Sequence, residues 1–148
     1  MDPNVILNPV VVRLMGDEGI KLIADTDPLR VVKGPRKPEG MHNPCITVHV
    51  LTSPRDPDYK DHIGTLQIKF CVDDYSGGNA NAEVIGTGIN RIAELFDDKP
   101  LEIEGFFNYN LVVEEPLGPL REPSGGTTSD LSEHFGLVRI RFGIARAG

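Results

Sequence analysis

Residues Ile63–Asp74 read IGTLQIKFCVDD, and the fold class turns on this stretch. Leu66, Ile68, Phe70 and Val72 fall on one side of an extended chain, and Thr65, Gln67, Lys69 and Cys71 on the other. That alternation describes a strand with one face in a core. Asp73 and Asp74, followed by Tyr75-Ser76-Gly77-Gly78, end it. Aspartate there is read as a turn or helix cap before it is read as a catalytic pair. Upstream, Cys45–Leu51 alternates around Ile46, Val48 and Val50, with Pro44 at its start. The two runs are expected to pair as an antiparallel hairpin, joined by the polar connection SPRDPDYKDH, Ser53–His62.

Downstream, Asn79 or Asn81 is placed to start a helix carrying Val84, Ile85, Ile89, Ile92, Leu95 and Phe96 at near-helical spacing. Gly86 and Gly88 inside it cost about 1 kcal/mol each against Ala, which implies close packing on the sheet or on a neighbouring subunit. Leu101–Ile103, a turn near Gly105 and Asn110–Glu115 add two strands. His134–Ala145 alternates Val138, Ile140, Phe142 and Ile144 with Leu137, Arg139, Arg141 and Gly143, a long final strand.

At the other end, Pro3–Ile23 reads as helical, with Pro3 or Pro9 suited to a first turn, a break at Gly16 and Asp17 capping a short second helix. The β-branched run Val10-Val11-Val12 works against it. Leu29–Val32 is a short strand. Gly34–Gly40, with a basic tip at Arg36 and Lys37, and Pro116–Asp130 read as long loops, because their Pro and Gly content forbids either ladder. Helix, strands, helix, strands predicts an α+β fold, a mostly antiparallel sheet with helices packed on one face.

The chain has 148 residues, 39% hydrophobic and 25% charged, with a net charge of −7, two Cys and no Trp. This is the length of one domain, residues 1–148, with a core large enough to need no disulfide or structural metal. The acidic balance opposes an electrostatic grip on nucleic acid or an anionic membrane. No apolar run approaches the roughly 20 residues of a spanning helix. The Met1-Asp2-Pro3 start lacks the pattern of a secretion signal, so a cytoplasmic beginning is expected. Cys45 and Cys71 form no CxxC and stand in strand-like runs, where free thiols behave as small buried hydrophobes.

A search for chemistry leaves little. There is no phosphate loop and no nucleophile elbow, and Gly86-Thr87-Gly88 lies inside the predicted helix. His42, His49, His62 and His134 have no metal-ligand spacing, and Asp25-Thr26-Asp27 and Asp56-Pro57-Asp58 sit in turn contexts. No catalytic residue, metal or cofactor is expected. Arg139 and Arg141 share one face of the last strand, with Arg146 beyond. Two readings stand side by side. They form a solvated face protecting an edge strand, or half of an intersubunit pairing with Glu114 and Glu115, or with Glu102 and Glu104.

The helical N-terminus, the basic Pro/Gly loop, NPCITVHV (Asn43–Val50), IGTLQIKFCVDD, AEVIGTGINRIAELF (Ala82–Phe96), a long loop and HFGLVRIRFGIA (His134–Ala145) occur in that order. This order resembles the tail-terminator or tail-completion proteins of long-tailed bacteriophages, the group that includes the lambda tail terminator. The resemblance spans nearly the whole chain and rests on pattern. It implies an α+β protomer that forms a hexameric ring on the head-proximal end of the tail tube, halts tube polymerisation and presents the surface for the head connector or stopper. The implied partners are copies of itself, the tail-tube protein and the connector, with genomic DNA passing through the lumen without specific binding, no membrane, and a virion location.

A heterologous interface that closes makes a ring, whereas one that does not close makes a filament. The long loops would order on contact with tube or connector, and Arg36, Lys37, Arg121 and Glu122 are the charged residues expected there; solvated loops are the bland alternative. A head–tail stopper or adaptor, or a tail-tube protein, is the nearest competitor. A small-ligand-binding domain or an enzyme without a recognisable motif shares the same fold pattern, and a nucleic-acid module ranks below both.

Overall fold

A computed structural model describes residues 2–52, 61–74, 80–121 and 134–147. Residues 53–60, 75–79 and 122–133, Glu122 among them, lie outside the described residues.

Among the described residues, three helices and seven strands follow in the order α1 (Asn4–Met15), α2 (Glu18–Ala24), β1 (Val31–Lys33), β2 (Cys45–Thr52), β3 (Asp61–Cys71), α3 (Ala82–Phe96), β4 (Glu102–Ile103), β5 (Phe106–Val113), β6 (Leu117–Arg121) and β7 (His134–Arg146). The strands make one sheet ordered β1-β2-β3-β7-β5-β4, with β6 also paired to β7. Among the described strand pairs β1–β2 is parallel and the rest are antiparallel. The fold is α+β, as the pattern predicts.

The hairpin forms in the expected sense, with Ile46 opposite Phe70 and Val48 opposite Ile68. β3 then pairs along its whole length with β7, from Asp61 opposite Ala145 to Cys71 opposite Phe135. The alternation in both strands therefore points the same way. Leu66, Ile68 and Phe70 lie beside Ile140, Val138 and Gly136 on the helix-covered face, and all three β3 side chains are fully buried.

Local chemistry sets the helix ends. The Asn81 side chain accepts from the Val84 amide at 3.4 Å and starts α3. The Asp17 side chain accepts from the Ile20 amide at 2.9 Å and starts α2, which ends at Asp25 in the left-handed region, φ 53°. Arg91 on α3 donates to both Asp17 oxygens, at 2.6 and 3.0 Å, so one carboxylate caps one helix and ties it to another. Arg13 of α1 donates to the carbonyls of Leu95, Lys99 and Pro100 at 2.7–3.1 Å, and its guanidinium lies 5.3 Å from the Phe96 ring centre.

The two glycines of α3 part company. A Cβ on Gly88 would stand 2.1 Å from Phe70 Cε2, while one on Gly86 would meet nothing within 4 Å. Gly88 lets the helix close onto the sheet, and Gly86 has no such role.

Three expectations need correction. Residues Leu117–Arg121, assigned to a loop because of Gly118 and Pro119, form β6 against β7. The ladder shifts register between Leu117 and Leu120, so Pro119 stands where no ladder donor is required. β3 begins at Asp61, inside the stretch read as polar connection. β7 lies between β3 and β5 in the sheet, so Arg139 and Arg141 do not protect an edge.

Candidate interaction surface

The sheet face turned away from the helices carries the outward residues of β2, β3, β5 and β7. Cross-strand rows order it: Asp61, Ala145 and Phe107; then Ile63, Gly143 and Asn110; then Thr65, Arg141 and Val112; then Gln67 and Arg139. A register shift between Asn108 and Asn110 admits Tyr109, whose ring lies over Gly143, where a Cβ would stand 2.7 Å from Cε2. The Tyr109 hydroxyl donates to Asp61 Oδ2 at 3.2 Å. Desolvation, then the bond to Asp61, pushes the phenol above its ordinary pKa. Ile63 is 56% exposed, Phe107 63% and Tyr109 43%. These three make an apolar patch at one end of the face, the kind of surface that marks association sites.

The bulge is held from below. Asn108 is buried; its Oδ1 accepts from the Leu101 amide at 2.8 Å, and its Nδ2 donates to the Asn110 and Gly143 carbonyls at 2.8 and 2.9 Å. One amide side chain thus satisfies three backbone groups where the ladder breaks, as burial of polar backbone demands.

Beside the patch lie the arginines. Arg139 Nε donates to Gln67 Oε1 at 3.4 Å, and Arg141 Nε stands 3.8 Å from Glu114 Oε1 of the same chain. Glu114 is also held through its amide to the Arg139 carbonyl at 2.9 Å. Within the chain, Arg141 and Glu114 thus stand side by side on neighbouring strands. Both side chains are about half exposed, and a pair so placed contributes little to stability. Glu115 is exposed just beyond β5, and Glu102 and Glu104 are exposed at the β4 end.

Of the loop residues, Arg36 is exposed, while Lys37 Nζ donates to Asn43 Oδ1 at 3.2 Å. Lys37 is a tie within its loop and not a free tip. Arg30 donates to the carbonyls of His42, Asn43 and Pro44 at 3.1–3.2 Å, and Asn43 Nδ2 donates to Asp73 Oδ1 at 3.2 Å, so the loop base is fastened to the end of β3. Arg121 is exposed at the end of β6, opposite His134 in the ladder.

His134 Nδ1 lies 2.7 and 2.9 Å from the two Asp74 oxygens, a partnership that neither residue's neighbours in sequence announce. It clamps the start of β7 to the end of β3. His49 is held below the ordinary imidazole pKa, first by burial and then by the Lys69 charge. Thr47 Oγ1 and His49 Nδ1 are buried without a hydrogen-bond partner.

Among the described residues no three His, Cys, Asp or Glu side chains gather as a metal site, and no helix is long and apolar enough to cross a membrane. A cleft of about 670 Å³ opens between α1 and β4, lined in part by Asn8, Arg13 and Glu102. Its arginine is committed to the backbone carbonyls named above, and no nucleophile–base pair lines it.

Comparison with known proteins gives one kind of relation. No family model matches the chain, and no curated protein matches it in sequence. Solved structures do match. One is a chain of the virion of a native gene transfer agent particle, with a TM-score of 0.66, 10% identity and coverage of 95% of this chain and 94% of that one. At that identity the relation is one of fold, and it extends over the whole architecture, helices and sheet together.

Proposed function

We propose that this chain is a structural virion protein of a long-tailed phage or phage-like particle, acting without catalysis. In this reading it closes into a homo-hexameric ring at the head-proximal end of the tail tube, ends tube polymerisation and joins the tail to the head connector. The observation that carries the reading is the full-length fold likeness to a chain of a gene transfer agent virion. The order of elements, which resembles the tail-terminator group, narrows it to the ring.

The apolar patch of Ile63, Phe107 and Tyr109 is assigned to the contact between protomers, because exposed aromatic and aliphatic side chains of this size supply association energy when desolvated. The internal Arg141–Glu114 pair borders that contact and sets its register more than its strength. Arg36 and Arg121 are assigned to contacts with tube or connector. DNA passes the lumen without a base-reading site, which an acidic protein does not need for that task.

The test adds purified protein to tail-tube subunits during polymerisation, with electron microscopy of the products. Tubes of limited length with one end capped by a ring support the reading. Open-ended tubes built by this chain alone move it to the tube proteins, and tubes left unbound and unlimited overturn it.

A further inference from the structure

The two cysteines of the chain are both free, and the β2–β3 ladder sets Cys45 directly opposite Cys71. The type of rung follows from the neighbouring strand. Ile46 N donates to the Arg30 carbonyl and Gly34 N to the Val48 carbonyl, so Ile46 and Val48 turn their backbone toward β1. Cys45 and Thr47 therefore turn theirs toward β3. Cys45–Cys71 is a hydrogen-bonded rung, whose Cα atoms stand about 5.5 Å apart, inside the range that a disulfide spans.

Both side chains leave the sheet on the face away from the helices, side by side on opposed positions of the ladder. This is the last rung, since Cys45 opens β2 and Cys71 closes β3. Cys45 is buried, with Sγ 3.7 Å from Asn43 Oδ1, and Cys71 is partly exposed and gives small reagents their route. The contact with Cys71 holds the Cys45 thiol below its ordinary pKa against the effect of burial, with Lys37 and Arg30 adding to it, while the same contact and burial push Cys71 up.

We propose that Cys45 and Cys71 form an oxidative modification site, closed to an intramolecular disulfide by a two-electron oxidant of the peroxide class. The first thiol gives up its proton and its sulfur attacks peroxide; the O–O bond breaks, a sulfenic acid forms, and the departing hydroxide takes up that proton and leaves as water. The second thiol's sulfur attacks the sulfenic sulfur, the S–S bond forms, and the hydroxyl leaves with the second thiol's proton as water. Two thiols lose two electrons and two protons, and one peroxide becomes two waters. The bridge fastens the base of the Arg36 loop, which Asn43 already ties to Asp73. Its bearing on docking rests on the proposed function; its formation does not.

The experiment uses the full-length protein, oxidised with stoichiometric hydrogen peroxide, alkylated in denaturant and analysed by mass spectrometry without reduction. The expected result is a chain lighter by two hydrogens, with both cysteines closed to alkylation, their peptides joined, and full reversal by dithiothreitol. The variants Cys45→Ser and Cys71→Ser should instead gain oxygen or dimerise through the remaining thiol. Three results on the wild-type chain would overturn the site: oxygen addition at one cysteine without a bridge, bridges only between molecules, or two thiols still open to alkylation after the peroxide is consumed. None depends on whether the chain forms rings.

Discussion

The same substitution at two positions of α3, Gly86→Ala and Gly88→Ala, should move stability in opposite directions. Each removes a glycine from a helix interior and so gains about 1 kcal/mol of helix propensity. At Gly86 a Cβ meets nothing within 4 Å, so that gain stands. At Gly88 the new Cβ would lie 2.1 Å from Phe70 Cε2 and 2.4 Å from Cδ2. Phe70 is fully buried, and its ring cannot swing clear without displacing the core beneath α3. Overpacking typically costs about 1–3 kcal/mol, and an approach this close belongs at the upper end, about 3 kcal/mol, so Gly88→Ala is expected to lose about 2 kcal/mol after the propensity gain. Urea unfolding followed by circular dichroism measures both. With a slope of about 2 kcal/mol per molar, the midpoint rises by about 0.5 M for Gly86→Ala and falls by about 1 M for Gly88→Ala. A Gly88→Ala protein as stable as Gly86→Ala, with unchanged slope, would refute the helix–sheet packing described above.

Asn108→Ala should destabilise by about 3 kcal/mol, because it leaves the Leu101 amide and the Asn110 and Gly143 carbonyls without their partner; a loss under 1 kcal/mol in urea unfolding would contradict that. Asp17→Ala removes the α2 cap and should cost about 1 kcal/mol. The Asp17 pKa is lowered chiefly by the Arg91 hydrogen bond, so its contribution is present above the ordinary carboxylate pKa and lost as pH falls through the lowered one. The wild-type advantage over Asp17→Ala should shrink in acid, and an advantage that grows in acid would reverse the sign. Burial, and then the Lys69 charge, lowers the His49 pKa, so proton NMR should find it titrating below about 6.5. The stability it adds is full above that value and falls away as pH drops through its folded pKa, and titration above 6.5 would be inconsistent with its burial. Phe107→Glu, at a side chain 63% exposed, should leave the protomer folded and weaken self-association at least tenfold, about 1.4 kcal/mol per contact; unchanged assembly in sedimentation would remove Phe107 from the interface.

Much of the fold is legible in period alone. Ile63–Val72 and His134–Ala145 alternate so regularly that burying one face settles how each strand is turned, and Asn81 with Ile85, Ile89 and Ile92 marks α3. β6 was hidden because Gly118 and Pro119 speak for a loop, whereas a register shift excuses proline from the ladder. The partnership of Lys37 with Asn43 needs a loop folded back on itself, and that of His134 with Asp74 needs β3 and β7 to be neighbours. Arg141 beside Glu114 and Cys45 beside Cys71 are also products of strand order and register, which alternation leaves open. The apolar patch escaped notice because Ile63, Phe107 and Tyr109 come from two distant strands, and Tyr109 joins them only through a bulge.

The most direct test of the central claim is the mass of the purified protein in solution by analytical ultracentrifugation, across a range of concentration and salt. A single closed species near six protomers, with no larger polymers at high concentration, is the predicted result. A strict monomer at every concentration, or growth without limit, would contradict a ring-forming virion protein.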